Sequence, residues 1–168
     1  MAPTGFQYIQ IAFTLALAFL SGLSACFTLW VIPLLQLPRV PAQAKAAELT
    51  HLVTLGGRYL QPSSRMLGAA SVGFTAWSYA VGNDLWGYYL LCFALLIPIA
   101  VWEIYMIFPI NDRVAEMDQQ MMKGGGEALN AEQERELSRL LDRWTKMHTV
   151  RFVLPGLAAI VSASAMSC

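Results

Sequence analysis

Trp144, His148 and Arg151 stand four and three residues apart, the spacing that places side chains on one face of an α-helix. An imidazole exchanges protons near neutral pH. A guanidinium is a permanent cation that can hold a developing oxyanion. Leu137, Leu140, Leu141 and Met147 continue the same stripe, so the histidine and arginine lie on an apolar, inward-facing surface where each needs a partner. Two further polar residues stand within reach. Glu103 interrupts the apolar run 100–108, and Asn111 follows about two turns later. An acid inside such a run points to function by default. Each residue also has a structural reading. Arg151 can snorkel to the interface, His148 can bond a neighbouring helix, Glu103 can pair with Arg65 or Arg151, and Asn111 can end a helix together with Asp112. The residues alone leave both readings open.

These side chains need a scaffold, and the composition indicates a membrane one. Of 168 residues, 57% are hydrophobic and only 13% charged, too few to cover a soluble domain. The length suits a single domain over 1–168. The apolar residues gather into four runs, approximately 6–35, 66–81, 85–108 and 150–168, read as spans by the roughly 20 residues needed to cross about 30 Å of hydrocarbon. The second is short and carries Ser71, Thr75 and Ser78, hydroxyls that a span accommodates by bonding its own or a neighbouring helix. The expected fold is all-α: an integral membrane four-helix bundle whose last span begins as a helical extension in the cytoplasm.

Charge placement supports this count. Arg39, Lys45, Arg58 and Arg65 lie between the first two runs. The other seven basic residues, Arg113 to Arg151, lie between the last two or in the first turn of the fourth. The positive-inside rule then puts both long connections in the cytoplasm and both termini on the opposite side. No basic, aromatic-interleaved patch suggests nucleic acid. The first run is too long, and its start too poor in basic residues, for a cleavable signal.

Local signals divide the chain further. Ala18, Ser21, Gly22 and Ala25 form a small-residue packing seam in the first run, which Pro33, Pro38 and Pro41 then end. A short amphipathic helix is expected over 42–55, with Leu49, Leu52 and Val53 inward and His51 outward. Gly56-Gly57 would stop it, and Pro62-Ser63-Ser64 would start the second span. Gly82-Asn83-Asp84 is a turn, followed by Trp86, Tyr88 and Tyr89 as an aromatic belt. Gly124-Gly125-Gly126 is a break. Asn130, with Gln133 three residues on, caps a long helix that runs unbroken to Pro155-Gly156. Cys26, Cys92 and Cys168 lack any paired spacing and read as small packing residues.

Phe108-Pro109-Ile110-Asn111 and then Trp144-x3-His148-x2-Arg151 resemble the motifs of the DUF1772 or anthrone oxygenase family, four-span proteins of fungal polyketide pathways. The Ser21-Gly22 seam and Gly57-x4-Pro62 are also similar, so the resemblance covers nearly the whole chain. It implies oxidation of an anthrone-type aromatic polyketide to a quinone by O2 without a cofactor, in the endoplasmic reticulum. His148 would be the base and Arg151 the anion stabiliser, with Trp144, Asn111 and Glu103 against the substrate. Where many members have proline and threonine, this chain has Val101 and Glu103, which points to a divergent branch with its own substrate. Two other readings remain. A metal-dependent membrane oxidoreductase would draw on His51, His148, Glu103 and Asp112, which match no ligand spacing. A non-catalytic assembly or carrier protein would need no site. The oligomeric state is not readable from the chain.

Overall fold

A computed structural model describes residues 5–124 and 129–167; Cys168 and part of the expected Gly124-Gly125-Gly126 break lie outside them. The described residues form four long helices: α1 Gly5–Leu35, α2 Ala42–Ala80, α3 Trp86–Lys123 and α4 Ala131–Ala165. Phe13 and Leu17 of α1 pack with Tyr89 of α3 and Ala158 of α4, while Ile32 packs with Ala46 of α2, Ile107 and Trp144. The helices therefore run alternately up and down. Residues 5 and 165 lie at one end, and residues 36–41, 124 and 129–130 at the other.

By length and composition α1, α3 and α4 can each cross a membrane, and α2 falls short. The expected span 66–81 is thus the second half of a helix less apolar than its neighbours. At 1.5 Å per residue α3 is about 57 Å long, so it extends well beyond one hydrocarbon layer.

Two expected boundaries are absent. Gly56-Gly57 does not stop a helix and Pro62-Ser63-Ser64 does not start one, because α2 is continuous for 39 residues. Interior glycine costs about 1 kcal/mol and proline about 3. One buried stripe through Ala46, Leu49, Ser71 and Ser78 outweighs those local preferences. Likewise Asn111 and Asp112 do not end a helix, since α3 continues to Lys123. The turn at Gly82 is as expected: its φ is +68°, and Asn83 Oδ1 accepts from the Leu85 amide at 3.0 Å. Asn130 forms a full capping box with Gln133. The helix it starts passes through Pro155, with one irregular turn at Thr149.

Two wide π turns break the regular winding, at Phe27–Val31 in α1 and Glu103–Ile107 in α3. Each is followed two residues later by a proline, Pro33 and Pro109. A proline inside a helix removes one amide donor and crowds the carbonyl four residues back, and a widened turn relieves that crowding. Pro33 therefore sits within the last turns of α1, which ends only at Leu35. The π turns also set the facing of side chains. Ser24, Thr28 and Ile32, and again Ile99, Glu103 and Ile107, are buried at successive steps of four. In a regular helix each such step would drift about 40°.

Other expectations need adjustment. Ser21 is the working member of the small-residue seam: its hydroxyl donates to the Phe152 carbonyl at 2.7 Å, and a Cβ on Gly156 would lie 3.0 Å from it. Ala18 and Gly22 instead face outward. Tyr89 is not a belt residue. It is buried among Phe13 and Phe74, and its hydroxyl accepts from Gln10 Nε2. Cys92 is buried and free, with its thiol toward the Ala158 carbonyl. His51 is exposed.

Candidate active site

The five expected site residues come together where α1, α3 and α4 meet beside α2. The stripe on α4 buries Trp144 and His148 to 2% and 1% exposure. Their rings stack with centroids 4.2 Å apart and planes 13° apart, the consequence of a four-residue step on a helix. Trp144 Nε1 donates to Asn111 Oδ1 at 2.9 Å, which gives the mid-helix asparagine a partner across the bundle. Trp102, also on α3, donates its indole N–H to the Met147 carbonyl at 2.9 Å, pinning the backbone just before His148.

One turn further, Arg151 Nε meets Glu103 Oε1 at 2.7 Å. The acid in the apolar run is thus paired with Arg151, one of its two expected partners. With side chains 11% and 15% exposed, the pair is strongly desolvated, and breaking one side would strand a charge. Arg151 NH1 lies 3.3 Å from His148 Nε2, and Thr28 Oγ1 lies 2.8 Å from His148 Nδ1. Thr28 is a residue that the motif-based reading missed. Its signal was a second hydroxyl four residues after Ser24 on the buried stripe of α1, ahead of Pro33.

Two spaces border this row. A small cavity of about 30 Å³ is lined by Asn111, Trp144, His148 and Arg151 and walled by Gly56 and Gly57 of α2. That is about the volume of one water-sized molecule. The two glycines leave the space open, since a Cβ on Gly57 would meet nothing within 4 Å. A cleft of about 220 Å³ lies between α2 and α3, with Ser64, Arg65 and Glu103 among mostly apolar walls. The two spaces share Gln61 and Phe108 as a common partition. Among the described residues, no three of His, Cys, Asp and Glu are grouped as a metal ion would need.

Chemically the row offers an imidazole with both nitrogens engaged, a cation able to receive an oxyanion, and an amide beside it. These groups line the small cavity, and Glu103, paired with Arg151, lines the apolar cleft on the other side of Gln61 and Phe108. No curated protein and no solved structure matches the chain. The sequence profile of the anthrone oxygenases does match, over residues 6–161. That span includes α2, α3, nearly all of α1, most of α4 and every residue of the buried row, and the chain belongs to the anthrone oxygenase family.

Proposed function

We propose that this protein is a cofactor-independent oxygenase that converts the activated methylene of an anthrone-type aromatic polyketide to a carbonyl, giving a quinone. The observation that carries this reading is the Thr28–His148–Arg151–Glu103 row, buried against a small cavity and an apolar cleft. The central CH2 of an anthrone is acidic because its carbanion is an extended enolate. His148 takes that proton as general base when the CH2 edge of a ring seated in the cleft reaches past Gln61 and Phe108 into the small cavity. Arg151 and the Asn111 amide hold the enolate oxygen, and later the peroxide, in water-poor surroundings where such contacts are strong.

The electron-rich enolate reduces O2 held in the small cavity, and a carbon–oxygen bond forms to give a hydroperoxide at the former CH2. The remaining hydrogen on that carbon leaves as a proton, and the O–O bond breaks. One oxygen atom stays as the new carbonyl and the other departs as water. The balance is one anthrone and one O2 to one anthraquinone and one H2O, with the substrate as the reductant. The cleft is smaller than the roughly 300–1,000 Å³ of drug-sized pockets and suits one rigid ring system. Trp144 lines the small cavity beside His148, and Glu103 both lines the cleft and holds Arg151.

Charge placement supports an orientation with the connections 36–41 and 124–130 in the cytoplasm and both chain ends opposite. The extensions of α3 and α4 would then be cytoplasmic, and the family pattern favours the endoplasmic reticulum. The test supplies emodin anthrone and O2 to membranes carrying the wild type or His148→Ala, recording quinone formed and oxygen consumed. Wild type should consume one O2 per quinone, and the variant should be slower by about 10²–10⁴-fold. Equal rates would remove His148 from the mechanism, and a wild-type rate no higher than empty membranes would remove the oxygenase reading.

A further inference from the structure

The polar contacts around His148 have a direction. A guanidinium only donates hydrogen bonds, so Arg151 NH1, 3.3 Å from Nε2, requires a lone pair on that nitrogen. A proton on Nε2 would set two donors against each other in a buried site. The neutral ring must then carry its hydrogen on Nδ1, which faces Thr28 Oγ1 at 2.8 Å. The threonine hydroxyl can accept there because its own hydrogen is committed elsewhere, to the Ser24 carbonyl at 3.2 Å. Every donor in the series Arg151, His148, Thr28 finds an acceptor, and reversing any one bond leaves two like groups facing. Trp144, stacked on the imidazole, prevents the ring from turning over without disrupting the core.

We infer that Thr28 is a positioning residue: together with Arg151 it holds His148 as the Nδ1–H tautomer and so leaves the lone pair of Nε2 on the side of Arg151 and the small cavity. The wide turn at Phe27–Val31 is what keeps Thr28 in line with Ser24 and Ile32 on the face toward α4. A hydroxyl elsewhere on α1, such as Thr14 or Ser21, bonds α4 at other points, Ser162 and the Phe152 carbonyl. The effect on turnover rests on the reading of His148 as the base; the tautomer itself does not.

The chain has only two histidines, so the test is spectroscopic. Purified protein with ¹⁵N-labelled histidine and His51→Gln shows a single imidazole, whose long-range ¹⁵N–¹H correlations report which nitrogen is protonated. The expected spectrum has the hydrogen on Nδ1 in the wild-type background and in Thr28→Ser. Thr28→Val removes the acceptor for Nδ1–H while Arg151 still opposes Nε2–H, so the single pattern should give way to a mixture of the two tautomers. With anthrone as substrate, Thr28→Val should lower kcat by about 10–100-fold, the usual range for residues that orient an active group, with KM little changed. Thr28→Ser should restore most of the rate. An Nε2–H tautomer in the wild-type background would overturn the inference, whether or not the valine variant folds. So would a valine variant that folds and keeps the wild-type pattern. An Nδ1–H tautomer in protein without anthrone turnover would sink the oxygenase reading and leave the tautomer assignment standing.

Discussion

Around Tyr89 and Ala158 aromatic and aliphatic side chains pack beside small residues, and polar bonds cross between helices, with Thr14 on Ser162, Ser21 on the Phe152 carbonyl and Cys92 on the Ala158 carbonyl. Around Met117 and Leu141 they meet through Leu, Ile, Val and Met side chains. The outer surfaces differ in the opposite sense. In the first region Leu15, Phe19, Leu90, Ile97 and Ile160 are exposed, as suits lipid. In the second, Glu132, Glu134, Arg139, Arg143 and Lys146 are exposed, as suits water. Lipid supplies no hydrophobic drive between helices, so close packing and interhelical bonds must hold them. Water does supply that drive, so large aliphatic side chains are enough. The buried row lies where the two regimes join, and both π turns fall at that level.

The junction should be the most sensitive part of the bundle. Glu103→Ala strands the Arg151 charge and should cost about 3–5 kcal/mol. Pairing it with Arg151→Met should recover much of that in unfolding titrations of detergent-solubilised protein. If the double variant is no more stable than the single, the pair is not what holds the junction together.

The contrast between the regions can be tested with matched cavities. Leu141→Ala should cost about 2–5 kcal/mol, because both transfer and packing are lost. Leu17→Ala, equally buried, should cost less than half as much, since in lipid the packing loss dominates. Equal losses would remove the distinction drawn between the two cores. Smaller still, Thr14→Val should cost about 0.6 kcal/mol, the average for an interhelical bond in a membrane. Its loss should not add to that of Ser162→Ala, because each removes the same bond.

The smallest effect belongs to the clasp between the α3 and α4 extensions. Arg113 Nε and NH2 donate to the two Glu136 oxygens at 2.7 and 3.1 Å. Those hydrogen bonds hold the Glu136 carboxyl below the usual carboxylate range. A depressed folded pKa gives stability that is present above the unfolded value of about 4.3 and lost as pH falls through the folded value. The pair is partly exposed and screened, so Glu136→Gln should only slightly flatten the acid limb of a melting-temperature profile.

Much of this arrangement is legible in the chain because several signals coincide. The α4 stripe, its Asn130 cap and the proximity of Glu103 to Arg151 all follow from helical spacing and the need to pair a buried charge. The continuity of α2 does not, because Gly56, Gly57 and Pro62 carry local penalties that only the packed bundle offsets. Asn111 reads equally as a helix end or a buried partner until Trp144 is known to face it. Thr28 is hidden for a related reason: its four-residue spacing looks out of phase unless the turn at Phe27–Val31 is already known to be wide.

The cleft between α2 and α3 is lined by Ile97 and Ile104, side chains that are half exposed on the apolar surface. With α3 crossing a membrane, a mouth between those side chains would face sideways, into the hydrocarbon. A ligand using that mouth arrives by lateral diffusion in two dimensions, at the concentration set by its partitioning into the bilayer. Saturation would then follow moles of ligand per mole of lipid. Adding empty vesicles at constant total ligand would slow such a protein by dilution alone.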